Sequence, residues 1–205
     1  MGIDRILSSL HKRDVIVSDV GNHEFWVSRG YELAEVNNRI LYSKSFGALG
    51  CSIGKAIGAY YASKRSVICF VGDQGIQLNI QEIQLISQAQ LPIAIVLLNN
   101  HSSGMIRDRE FQKYKGYLLH TTPCTGYGMP DFRLIAKSYG IEYRIVNDDC
   151  WKDVEIILKN LTKPILIELL ISEEIGLTPS LPKGKPMQML TPELEKNLYL
   201  ELDSL

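Results

Sequence analysis

The run Ile93-Ala94-Ile95-Val96-Leu97-Leu98 carries no polar side chain. A strand that is apolar on both faces needs cover on both, and in a parallel sheet crossover helices supply it. Further β-branched apolar runs at 15–18, 39–42, 67–71, 142–146 and 165–169 read as strands. Helical spacing fills 52–63, 76–89, 131–139 and 151–161. Helices alternating with strands imply right-handed crossovers. The prediction is a doubly wound α/β domain: a mainly parallel six-stranded sheet with helices on both faces.

Within 205 residues the net charge is −1, which gives no basic field for holding nucleic acid. The four cysteines, Cys51, Cys69, Cys124 and Cys150, form no C-x-x-C pair. That is neither a zinc nor an iron–sulfur framework, and it suits a reducing compartment. The longest apolar run, 91–98, is far short of the ~20 residues that cross a bilayer. The N-terminal stretch lacks the apolar core of a signal peptide. Ile6 stands where myristoylation of Gly2 needs Ser or Thr. These features place the chain in the cytoplasm, without a membrane partner.

Two segments break the strand–helix rhythm. Residues 113–130 are rich in Gly, Thr and Tyr and long for a connection, as functional loops often are. From Gly176 onward Pro179, Pro182, Pro186 and Pro192 follow, and a closing helix is expected with Thr191 as N-cap and Pro192 at its first position. Leu194, Leu198 and Leu202 would stripe that helix, which either packs back on its own domain or docks on a partner subunit. The expected division is a binding domain at 1–175 and a Pro-rich extension with a C-terminal helix at 176–205.

The chemistry concentrates at two strand ends. One run closes into Gly72-Asp73-Gln74-Gly75, the next into Asn99-Asn100-His101-Ser102-Ser103-Gly104. Parallel neighbours would set these ends side by side, where open α/β sheets bind ligands. Singly, an Asp or Asn after a strand is commonly a turn former or a helix cap. Together, one carboxylate and a neutral amide oxygen suit Mg²⁺, which keeps positions for water and phosphate. Adjacent glycines let backbone N–H groups approach phosphate oxygens. The Gly-rich stretch 45–59 is no P-loop, because Leu49 stands at the first required Gly and Ala56 at the Ser/Thr. Nor does it hold G-x-G-x-x-G, which disfavours a plain dinucleotide-binding domain.

Taken together, these segments resemble the diphosphate-binding (PP) domain of thiamine diphosphate enzymes, in the acetolactate synthase-like branch. Gly72-Asp73 through Asn99-Asn100 is similar to the GDG…NN signature of that superfamily. The likeness continues through 78–83, Leu91-Pro92, Gly104-Met105 and Pro130-Asp131-Phe132, and upstream through 19–26. It implies thiamine diphosphate and Mg²⁺ as cofactors. Asp73, Asn100 and the Ser102 carbonyl would hold the metal. Val20, Gly21, Asn22 and His23, with backbone at Gln74 and Gly75, would line the diphosphate. The Gly47 carbonyl would accept from the pyrimidine amino group, and Leu49 would wedge beneath the bent cofactor. Ser103, Gly104 and Met105 would complete the lining.

Two departures matter. Gln74 replaces the third glycine of the signature, which costs affinity if that backbone needs positive φ, unless Gly75 takes over the task. The activating glutamate of the family sits on a separate PYR domain, and none of the glutamates here matches its context. The chain is therefore expected to be incomplete alone: the PP half of a split 2-oxo acid decarboxylase or carboligase. It would pair with a PYR-domain subunit as a homodimer or heterotetramer. The alternatives are an inactive cofactor-binding or regulatory relative, and the β subunit of a 2-oxo acid oxidoreductase. Among lesser candidates, His101 either touches the diphosphate or caps a helix. His120 reads as a solvated loop histidine, and 107–109 as a solvated helix face. Ile106 occupies a position where some decarboxylase branches carry a catalytic glutamate.

Overall fold

Period-two alternation sorts the strand side chains onto two faces, and different helices cover each. The structure is a computed structural model that describes residues 2–43, 45–146, 151–182, 184–186 and 189–203. Its first half contains α1 (Ile3–Ser8), β1 (Val15–Ser18), α2 (Asn22–Leu33), β2 (Arg39–Leu41), α3 (Ser52–Ser63), β3 (Val67–Gly72), α4 (Gly75–Leu78) and α5 (Ile83–Gln88). Its second half contains β4 (Ile93–Asn99), α6 (Gly104–Tyr114), α7 (Phe132–Ser138), β5 (Glu142–Val146), α8 (Trp151–Lys159), β6 (Ile165–Leu170) and α9 (Lys196–Asp203). The sheet is all parallel in the order β2-β1-β3-β4-β6-β5, so the predicted doubly wound α/β class holds.

On one face Val17, Cys69, Val71, Ile95 and Leu97 pack under Ile53, Ala56, Ile76, Ile83, Ile86 and Phe132 of α3, α4, α5 and α7. On the other, Ile16, Ile68, Phe70, Val96 and Ile167 meet Ile6, Leu7, Trp26, Val27, Val154 and Leu158 of α1, α2 and α8. Every residue of β4 is buried, which bears out the central strand. Burying one such Ile or Val stabilises by about 1.5–3 kcal/mol. The chain order reverses between β1 and β3. Open α/β sheets form their ligand crevice at that switch point, beyond the carboxyl ends of the strands.

Several expectations need correction. The helix expected over 76–89 is broken into α4, a 3₁₀ turn at Ile80–Glu82, and α5. Asn79 leaves helical geometry at φ −136°, ψ 36°, and its Nδ2 donates to the Gly50 carbonyl at 2.8 Å. That tertiary bond outcompetes the local pattern. The last helix begins at Lys196, not after Thr191. Thr191 exchanges two 2.8 Å backbone bonds with Ser180, so its backbone is committed to an antiparallel bridge and cannot cap.

The start of the tail packs back on the domain, where Trp26 Nε1 donates to the Gly176 carbonyl and Arg29 to that of Thr178. Leu198 on α9 remains exposed. Cys51, Cys69 and Cys124 are free thiols; Cys150 and the Leu202 side chain lie outside the described residues. Among the described residues, no helix is long and apolar enough to cross a membrane.

Candidate cofactor site

Gly72 pairs in register with Leu98, so the turns after β3 and β4 emerge side by side, as the spacing of the two motifs requires. Together with the turn after β1 they enclose a cleft of about 380 Å³. Val20, Gly21, Asn22 and His23 after β1 and Asp73, Gln74 and Gly75 after β3 line it. Asn100, Ser102, Ser103, Gly104 and Met105 complete the lining, with the exposed Gly47 and Leu49 at the mouth. Every site residue expected from sequence thus lines one cavity.

Local chemistry explains the arrangement. Gly21, with φ +143°, turns the chain from β1 into α2, and a Cβ there would meet the His23 ring at 2.9 Å. The fully buried Asp19 ties three segments together. Its Oδ1 accepts from the Val20 and Gly50 N–H groups at 2.7 and 3.0 Å, and its Oδ2 accepts from Ser52 Oγ at 2.8 Å. The loop that bears Gly47 and Leu49 is therefore anchored to the end of β1. The N-termini of α2 and α6, both longer than two turns, open on the cleft and bias it toward anions.

Asp73, 2% exposed, is the acidic residue of the lining. Its Oδ1 accepts from the Gln74 N–H at 2.8 Å and from the Tyr127 hydroxyl at 3.0 Å. Its Oδ2 is buried without a partner. Burial pushes this carboxyl up to about 6, against the lowering effect of Tyr127 and of backbone donors at Gln74 and Ser102. Burial likewise pushes the His23 imidazole down to about 4, against the Asp19 charge, so the ring is neutral at pH 7.

The buried side-chain atoms without partners among the described residues are Asp73 Oδ2, Asn22 Oδ1 and His23 Nε2, and all three residues line this cleft. Unpaired buried polar atoms are costly unless a ligand satisfies them. Asn100 donates through Nδ2 to Ser102 Oγ at 3.1 Å, which leaves its carbonyl oxygen available to a cation. One carboxylate with neutral oxygens matches the hard donor set of Mg²⁺. Among the described residues no cluster of three His, Cys, Asp or Glu side chains forms a self-sufficient metal site. The donor set is therefore one that a phosphate would complete.

Gln74 has φ −80°, so the position never demands a glycine, and its side chain accepts from Ser103 Oγ at 2.9 Å. Gly75 is the tight position: a Cβ there would lie 3.2 Å from Asp19 Oδ2. His101 is exposed at φ +52° and lies outside the lining, while Ser103 is the residue at the N-cap of α6. His120 is exposed, as expected. The expectation for 107–109 was wrong at its first residue. Arg107 is 6% exposed and paired to Asp108 at 2.6 Å, because α6 turns this pair inward toward Asn22.

Sequence reasoning missed Tyr127, Trp26, Arg109 and the Arg107–Asp108 pair. The sequence of 113–130 reads as a functional loop, but nothing in it singles out Tyr127. The pair was detectable as positions i+3 and i+4 from Gly104, once a helix is started at Ser103.

Residues 19–169 match the family described as thiamine pyrophosphate enzyme, C-terminal TPP binding domain. The acetolactate synthase large subunit of Lactococcus lactis subsp. lactis (strain IL1403) is 36% identical over 173 residues, 83% of this chain and 29% of that protein. The acetolactate synthase isozyme 1 large subunit of Escherichia coli (strain K12) is 30% identical over 187 residues, 89% of this chain and 32% of that protein. Isozyme 2 of the same organism is 30% identical over 172 residues, 83% of this chain and 31% of that protein. The chain spans about a third of the length of these relatives. It belongs to the thiamine pyrophosphate enzyme family, in its acetolactate synthase-like branch, and the matched residues are the C-terminal TPP binding domain.

Proposed function

We propose that the chain is the diphosphate- and Mg²⁺-binding half of a cytoplasmic 2-oxo acid decarboxylase or carboligase. Residues 1–175 form the binding domain and 176–205 an extension. A PYR-domain polypeptide completes the site, in an assembly built on a homodimer of this chain or as a heterotetramer of the two chains. The observation that carries this reading is the unpartnered, buried Asp73 Oδ2 beside Asn100 in a cleft shared by two helix N-termini.

In this reading Asp73, the Asn100 side chain and the Ser102 carbonyl hold Mg²⁺. Val20, Gly21, Asn22 and His23, with backbone at Gln74 and Gly75, hold the diphosphate, and Ser103, Gly104 and Met105 complete the lining. The Gly47 carbonyl accepts from the pyrimidine amino group, and Leu49 supports the bend of the cofactor. Bound there, thiamine diphosphate supplies an electron sink for breaking the bond beside the carbonyl of a 2-oxo acid. The lining residues contain no glutamate, which supports a partner as the source of the carboxylate that activates the pyrimidine. Exposed Phe46, Leu49 and Ile106 at the mouth supply apolar surface for that partner to cover.

The test has two stages. Calorimetry on the chain purified with its co-isolated partner should show thiamine diphosphate binding that requires Mg²⁺. The cofactor-saturated complex should then decarboxylate or ligate members of a panel of 2-oxo acids. Binding without turnover across the panel would reduce the chain to a cofactor-binding relative. No Mg²⁺-dependent binding would remove the reading entirely.

A further inference from the structure

Asn22, 4% exposed, stands at the first turn of α2 with its two amide ends in different surroundings. Its Nδ2 donates to Asp108 Oδ2 at 2.7 Å, while its Oδ1 has no partner. The other oxygen of Asp108 accepts from Arg107 Nε at 3.1 Å and Nη2 at 2.6 Å, and Arg107 is itself buried. A carboxylate paired with a guanidinium only accepts hydrogen bonds. Reversing the Asn22 amide would set its carbonyl against that carboxylate and strand its NH₂. The ion pair therefore locks the amide in one sense and leaves its carbonyl oxygen, on a residue that lines the cleft, buried and without a partner.

A diphosphate offers only acceptor oxygens at neutral pH, so the Asn22 backbone N–H at the start of α2 can serve it but the side-chain carbonyl is mismatched to it. That carbonyl calls for a donor. The location identifies which one. Gly104 separates the two amides so closely that a Cβ on it would lie 2.7 Å from Asn100 Nδ2 and 3.3 Å from Asn22 Nδ2. Asn22 thus sits beside Asn100, not at the Gly47–Leu49 end of the cleft. Mg²⁺ in such sites retains several water ligands, and a cation-bound water is a strong donor.

We infer that Asn22 is an outer-shell ligand, its Oδ1 accepting a hydrogen bond from a water on the divalent cation. Arg107 and Asp108 are positioning residues that fix its polarity. The inference rests on the function proposed above and adds to it a role that the motif alone does not assign.

The test is an electron paramagnetic resonance titration of Mn²⁺ into the chain purified with its co-isolated partner, in the presence of thiamine diphosphate, comparing wild type with three variants. Loss of an outer-shell partner typically weakens metal affinity about 10- to 100-fold. Asp108→Asn, which frees the amide to rotate, should lose at least the lower figure. The swap Asn22→Asp with Asp108→Asn restores an acceptor-only group facing the cleft, backed by a donor, and should recover affinity to within about threefold of wild type. Asn22→Leu keeps the buried ion pair and should match the loss in Asp108→Asn, so the test survives if the latter folds poorly. A fold-support role alone would not be rescued by the swap. Wild-type binding with undiminished affinity in Asn22→Leu, or no recovery in a folded swap variant, overturns the inference and leaves the proposed function standing. No Mn²⁺–thiamine diphosphate binding in wild type overturns both.

Discussion

At pH 7 an Asp73 carboxyl raised to about 6 is ionised, buried and short of a partner on one oxygen. Its folded value lies above the unfolded 3.8, so the folded state binds the extra proton as pH falls through about 6. Ionised, the group costs roughly 3 kcal/mol of stability, at 1.36 kcal/mol per unit. His23 works in the opposite sense. Its folded value of about 4 lies below 6.5, so stability is lost as pH falls from 6.5 toward 4. The two effects largely offset each other in wild type. Asp73→Asn should therefore stabilise the ligand-free chain by about 1–3 kcal/mol at pH 7. It should also steepen the stability loss between pH 6.5 and 4, because the His23 contribution is no longer compensated. Urea unfolding at pH 7, 5.5 and 4.5 checks both, and a variant no more stable than wild type at pH 7 contradicts the account. In the proposed reading Mg²⁺ relieves the same cost, so cation affinity should fall about tenfold per pH unit below about 6, as protons compete for Asp73.

Strands were legible in the sequence because burial on both faces writes itself as continuous apolar runs, as in β4. The helices that carry the site were not. The buried face of α2 includes Asn22, His23 and Gly30 beside Trp26 and Val27, and α6 buries only Gly104 and Arg107, so neither displays an apolar stripe. The α4–α5 break was hidden for a related reason: Asn79 answers a carbonyl 29 positions away rather than its own helix. Gly50 is where that loop docks. It has φ +83°, and a Cβ there would lie 2.6 Å from Leu78 Cβ and 3.0 Å from the Gly75 carbonyl. Gly50→Ala should cost about 2 kcal/mol or more, from left-handed strain together with the clash. Gly47→Ala, at φ +55° with nothing within 4 Å, should cost about 1 kcal/mol from strain alone. Unfolding free energies of the two variants provide the comparison, and equal losses would contradict the docking role of Gly50.

At the scale of the molecule, the switch between β1 and β3 decides where the chemistry lies, since it opens a crevice at the strand ends that bear Asp19, Asp73 and Asn100. Most residues expected from the motifs converged on one cleft because they follow a strand or open a helix, positions that the topology fixes, while Gly47 and Leu49 arrive on a loop that Asp19 anchors. Tyr127 reaches the site from its loop to the turn after β3, and Asp108, paired to Arg107, from α6 to α2, relations that spacing along the chain does not record. In the proposed reading a divalent cation sits between Asp73 and Asn100. Anomalous diffraction from crystals grown with Mn²⁺ and thiamine diphosphate tests this directly. The predicted result is one strong manganese peak within bonding distance of Asp73 Oδ2 and the Asn100 carbonyl oxygen, with the diphosphate completing its shell. Manganese elsewhere on the chain, with Asp73 Oδ2 still unpaired beside an ordered cofactor, would contradict it.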